Sequence, residues 1–214
     1  MVYSDMIVFA MEIIGTVAFA ASGAMTGIQR RMDLFGVNVL GVTTAVGGGL
    51  IRDLILGINP PVMFQNPQYA LTAVLTSTIL FLFLYVRTEG GSGKYGRTRE
   101  LLLLTGDTIG LGIFTVVGVH TAITAGYGGD RFLLIFVGVM TGVGGGVIRD
   151  VLAGNTPYIF VKHVYAVASL TGALFYVALL PYLGGLSCML MGAAAVMLIR
   201  FLAAHYRWNL PRIR

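Results

Sequence analysis

Gly47-Gly48-Gly49-Leu50-Ile51-Arg52-Asp53 returns 97 residues later as Gly144-Gly145-Gly146-Val147-Ile148-Arg149-Asp150, and both copies lie inside apolar stretches. Glycine lacks a Cβ and reaches backbone angles closed to other residues, so three in a row predict a broken helix. The Arg-Asp pair that follows puts charge where hydrocarbon penalises it. Inside a membrane that combination is tolerated only against protein or a water-filled path. Each copy therefore reads as one half of a permeation or binding site.

The surrounding composition supports a membrane setting. Hydrophobic residues make up 57% of the chain and charged residues 11%, whereas a soluble domain carries about 25% charge. At about 20 residues per crossing, the 214 residues predict seven spans near Met6–Gly27, Leu34–Gly57, Gln68–Val86, Leu101–Ala125, Phe132–Gly154, Val164–Tyr182 and Leu186–Ala204. No separate soluble domain fits between them. Met1–Asp5 has no basic residue, so a cleavable signal is not expected. The single Cys188 excludes a disulfide framework and a cysteine metal cluster.

Seven spans place Arg30, Arg31, Arg87, Lys94, Arg97, Arg99, Lys162, Arg200, Arg207, Arg212 and Arg214 on one side and Arg131 on the other. The positive-inside rule then puts the N-terminus outside and the C-terminus in the cytoplasm. The net charge of +5 thus reads as an orientation determinant and a contact for anionic lipid. No nucleic-acid recognition motif accompanies it.

Similarity between the halves extends beyond the heptapeptide. Gly57, Asn59 and Pro60 are matched by Gly154, Asn155 and Pro157, and Gly15, Phe19 and Gly23 by Gly110, Phe114 and Gly118. Three spans per half, an odd number, force the second half to enter the membrane in the opposite sense. The expected fold is an all-α integral membrane protein with a 3+3 inverted repeat, an unmatched seventh helix, and second and fifth helices broken at the glycine triplets. Its units are residues 1–90, a basic linker at 91–100 following Gly90, an inverted repeat at 101–183, and the last helix and tail at 184–214. Gly23/Gly27, Gly106/Gly110 and Gly138/Gly142 have the spacing that lets helix backbones approach in lipid.

Glu12 and Asp107 are acids within spans, 95 residues apart, the offset that aligns the first and fourth spans. Glu12, Arg52 and Asp53 are expected together near the outer face, with Asp107, Arg149 and Asp150 near the inner one. Each set sums to −1, which suits a cation path. Glu12 with Arg52 and Asp107 with Arg149 are expected within salt-bridge reach. Such pairs either lock helices together or gate a path, and the two roles are compatible. His120 reads as a polar interfacial tip, His163 and His205 as solvated, and Tyr182, Tyr206 and Trp208 as interfacial anchors. Catalytic and nucleotide-binding motifs are lacking, so neither an enzyme nor a cofactor is expected. Broken helices at Gly47–Gly49 and Gly144–Gly146 would expose carbonyls able to hold K⁺ or Na⁺ transiently, without a structural metal and with moderate selectivity.

The doubled Gly-Gly-Gly-x-Ile-Arg-Asp motif, the 3+3+1 plan and the length resemble the prokaryotic trimeric intracellular cation (TRIC) channel family, also labelled a glycine-transporter domain family. The resemblance covers nearly the whole chain. It implies a homotrimer in a prokaryotic inner membrane, with a pore in each protomer conducting monovalent cations, chiefly K⁺. It also implies that the second and fifth spans line that pore with the first and fourth. The basic lipid-binding motif of animal members has no counterpart here. Inverted repeats with broken helices also occur in secondary transporters, so a carrier of a small solute such as glycine is the second reading.

Overall fold

In the computed structural model, the described residues are 2–89, 96–161 and 164–208, with side chains described for 6–86, 100–161 and 164–208. The apolar runs fold as α1 (Val2–Gln29), α2 (Leu34–Leu56), α4 (Gln68–Glu89), α5 (Gly96–Ala122), α6 (Arg131–Leu152), α8 (Tyr165–Leu179) and α9 (Gly185–His205). Two single-turn helices, α3 (Val62–Gln65) and α7 (Tyr158–Val161), occupy equivalent loops of the two halves. Of the long helices, α1, α2, α4, α5, α6 and α9 are long and apolar enough to cross a membrane. Helix α8 has 15 residues, about 22 Å of helix, short of a bilayer core of about 30 Å. The expected span at Val164–Tyr182 is therefore shorter in the structure. Turns continue past Leu179 through hydrogen bonds from Leu180 to Tyr176 and from Tyr182 to Leu179. The chain is an integral membrane protein.

Local chemistry sets the helix limits twice over. Asp33 caps α2 by accepting from the Gly36 amide at 2.7 Å, and Asp130 caps α6 by accepting from Leu133 at 3.0 Å. Both helices end on a left-handed glycine, Gly57 at φ 70° and Gly154 at φ 66°. Ile58 and Asn155 then donate back to Asp53 and Asp150, each at 2.8 Å, closing the last turn.

The glycine triplets do not break their helices. Helix α2 runs unbroken through Gly47–Gly49 and α6 through Gly144–Gly146. The triplets instead allow two helix backbones to touch. A Cβ on Gly48 would collide with the Thr141 carbonyl oxygen, and one on Gly145 with that of Thr44. The conformational freedom that suggested a hinge is used at Gly57 and Gly154. In the triplets the missing side chain matters, not the backbone angle.

Helices α1, α2, α5 and α6 form the centre, with α4 against α1 and α2, α8 against α5 and α6, and α9 against α5 and α8. Helix α5 is the most enclosed span and α4 the least. Gly23 and Gly27 of α1 face Gly41 and Val37 of α2, in reversed order along the two helices. Gly106 and Gly110 likewise meet Ala18 and Phe19 of α1, while Gly138 and Gly142 meet Thr115 of α5. All three small-residue pairs thus pack helices as their spacing predicts. Residues 90–94, Lys162, His163, Arg212 and Arg214, together with the side chains of Arg87, Arg97 and Arg99, lie outside the described residues, as does much of the expected linker.

Candidate functional site

Each half carries the same clasp. Asp53 accepts Arg52 Nε at 2.8 Å on Oδ1 and the Val62 amide at 2.8 Å on Oδ2. Asp150 repeats this with Arg149 Nε at 2.8 Å and the Tyr158 amide at 2.9 Å. The aspartate thus ties the end of α2 to the start of α3, and the end of α6 to the start of α7. Both carboxylate oxygens already hold a donor, which offsets the cost of burying the charge.

The upstream acids differ. At the bundle end holding the α1 N-terminus, Glu12 is half-buried and accepts the Tyr69 hydroxyl at 2.5 Å. It enters none of the four ion pairs found among the described residues. The expected Glu12–Arg52 bridge is absent because the Arg52 guanidinium is turned onto its neighbour Asp53. Glu12, Thr16, Gly49, Arg52, Tyr69 and Phe114 line a small open cavity. With Asp53 in its wall, the site sums to −1.

At the opposite end Asp107 is fully enclosed. Its Oδ1 accepts Arg149 Nη1 at 2.6 Å and the Tyr165 hydroxyl at 3.4 Å, and its Oδ2 accepts Arg200 Nη2 at 3.4 Å. Arg149 Nη1 also reaches Ser22 Oγ at 2.6 Å. The Arg149 guanidinium lies 5.0 Å over the Tyr158 ring, and that of Arg200 lies 4.7 Å over the Tyr165 ring. Asp107, Arg149 and Asp150 sum to −1 as expected, and Arg200 brings the cluster to zero. A second, larger cavity opens at this end between Gln29, Glu100, Leu103, Tyr158 and Arg200.

Arg200 is the main displacement from the sequence expectation. It reads as a surface charge but is 2% exposed, carried inward by α9. A basic residue five positions before the last residue of an apolar helix was the available signal. Tyr69 and Tyr165 were also missed, although they are 96 residues apart and each bonds the acid of its half.

Between the two acids lie Phe19 and Phe114, also related by the repeat, with ring centroids 5.3 Å apart. Each ring fills the notch left by the other helix's glycine, Phe114 against Gly15 and Phe19 against Gly110. The glycine triplets lie beside them. Gly49 is half-exposed and lines the first cavity, whereas Gly144–Gly146 are buried. Unbroken helices leave no free carbonyl ladder for an ion at the triplets. His120 lies 3.5 Å from the Tyr176 hydroxyl, while His205, Tyr182, Tyr206 and Trp208 are exposed. Among the described residues no cluster of His, Cys, Asp and Glu has the makings of a metal site.

Apolar spans around paired internal charges, with a cavity at each end, define a polytopic membrane protein. A family model described as glycine transporter matches residues 9–85 and again 104–181, and the chain belongs to that family. It is 36% identical over 211 residues to the UPF0126 inner membrane protein YadS of Escherichia coli K12, covering 96% of each chain. A UPF0126 membrane protein of Deinococcus radiodurans is 36% identical over 203 residues, 94% of this chain and 89% of its own. Among solved structures, a prokaryotic TRIC channel crystallised in 0.5 M KCl superposes with TM-score 0.86 at 33% identity, covering 96% of this chain and 99% of that one. The trimeric intracellular cation channel orthologue from Rhodobacter sphaeroides gives TM-score 0.84 at 30% identity over 94% and 99%. The fold is that of the TRIC cation channels.

Proposed function

We propose that the protein is a channel for monovalent cations, mainly K⁺, with a pore in each protomer of a homotrimer. The observation that carries this is the likeness, over nearly the full length, to solved TRIC cation channels. The antiparallel packing of α1 on α5 and the doubled family match support an inverted repeat, with the path running where the halves meet. Glu12, exposed to a cavity of net negative charge, serves as the cation entry, with Arg52 and Asp53 in its wall. Asp107, Arg149 and Asp150 form the other end. Gly47–Gly49 and Gly144–Gly146 set the spacing of the two helices that flank the path. The N-terminus faces outside, and the exposed Arg30, Arg31 and Arg207 face the cytoplasm, where they meet anionic lipid.

Planar-bilayer recording of purified protein in a KCl gradient tests this. Unitary currents reversing near the K⁺ potential are expected. No current, together with saturable glycine counterflow in liposomes, would replace the channel with a carrier.

A further inference from the structure

Resting on the channel reading, we infer that Arg200 is a tethered cation that blocks one end of the path by taking a permeating ion's place at Asp107. The position of α9 would then decide whether that end is open. Arg200 touches both compartments, since it lines the cavity at that end and donates to the buried Asp107 carboxylate. An ion moving between the cavity and Asp107 must displace the guanidinium.

The contact suits displacement. Arg149 holds Asp107 at 2.6 Å, while Arg200 reaches it at 3.4 Å. Asp107 therefore keeps Arg149 and Tyr165 as donors when Arg200 leaves. Without Arg200 the cluster of Asp107, Arg149 and Asp150 returns to −1, the charge of the Glu12 end. The Tyr165 ring, 4.7 Å from the guanidinium, offers a cation–π contact that eases such a movement. Helix α9 lies outside both family matches, so the duplicated halves have a single Arg200. Among the described residues, Glu12 has no cation bonded to it, since Arg52 in the same cavity wall is held by Asp53.

Full-length protein in planar bilayers carries the test. Arg200→Gln keeps a hydrogen-bond donor and removes the charge, and is expected to raise K⁺ current roughly tenfold, the scale set by a unit charge a few ångströms from a permeating ion under near-aqueous screening. It should also straighten a rectifying current–voltage curve, while Arg200→Lys stays near wild type. Unchanged current and rectification in folded Arg200→Gln protein overturn the role of Arg200 alone. Absence of K⁺ current from both wild type and variant overturns the channel reading as well. A second measurement needs no variant. If K⁺ competes with the guanidinium, wild-type current rises more than linearly with K⁺ on the Asp107 face and linearly with K⁺ on the Glu12 face. Linear dependence from both faces refutes the inference even if Arg200→Gln does not fold.

Discussion

Asp53 and Asp150 do the same thing at opposite ends of the molecule, whereas Glu12 and Asp107, equally related by the repeat, do not. Each aspartate binds the arginine beside it and the first amide of a one-turn helix, within 0.1 Å of its counterpart's distances. That clasp is built from one continuous stretch, so duplicating the stretch duplicates the clasp. The acids upstream depend on what other helices bring. Glu12 receives a tyrosine and an open cavity, while Asp107 receives two arginines, a tyrosine and complete burial. The lesson is that the repeat keeps the clasp and the tyrosine on each acid in both halves, while the arginines reach only one of the two acids.

This contrast is breakable by substitution, and the largest effect should fall on Asp107. Asp107→Asn leaves Arg149 and Arg200 buried beside a neutral amide, at a cost of about 3–5 kcal/mol. Its counterpart Glu12→Gln should keep its melting temperature in detergent and lose K⁺ current instead. Equal melting of the two variants would erase the distinction between the ends.

The helix crossing should remain symmetric. Gly48→Ala and Gly145→Ala each drive a methyl into a backbone carbonyl, so both should lose about 3 kcal/mol or more, read as falling yield of folded, assembled protein. Well-folded but non-conducting Gly48→Leu or Gly145→Leu would instead restore the hinge that the sequence predicts.

One residue further on, the ends should part again. A Cβ at Gly49 meets only Arg52 Nη2, at 3.8 Å, while one at Gly146 meets the Tyr165 hydroxyl at 2.7 Å. Gly49→Ala should stabilise α2 by about 1 kcal/mol. Gly146→Ala should destabilise and push Tyr165 from Asp107, a difference that paired thermal melts would detect. The smallest effect is expected from Arg52→Ala, which removes a positive charge from the cavity wall and should preserve or modestly raise K⁺ current. A fall in current from a variant that melts like wild type would argue against a negative cavity as the cation entry.

The membrane class, the internal duplication, the limits of α2 and α6 and the acids within the spans were all legible in the sequence. They rest on composition, span length and the repeat; the caps by Asp33 and Asp130 and the left-handed Gly57 and Gly154 that fix the helix limits emerged with the structure. The small-residue pairs were legible too, since their spacing fixes which helix face they share. The role of the triplets was not. Three glycines are equally compatible with a bent backbone and with a second backbone lying against them. Only the carbonyls of Thr44 and Thr141, brought in by the opposite helix, select the latter.

Sequence alone determined that charge is buried in this protein and that it is buried twice; it paired Arg52 with Glu12, and only the structure turns that guanidinium onto Asp53. Tertiary structure decided which acid received a second arginine. Arg200 sits 93 residues from Asp107, on a helix with no place in the repeat, and no local pattern links two side chains so far apart. Their meeting follows from α9 packing on α5 and α8. Once α9 packs there, the Arg200 guanidinium is brought to the Asp107 carboxylate, and the attraction of opposite charges offsets part of the cost of burying both.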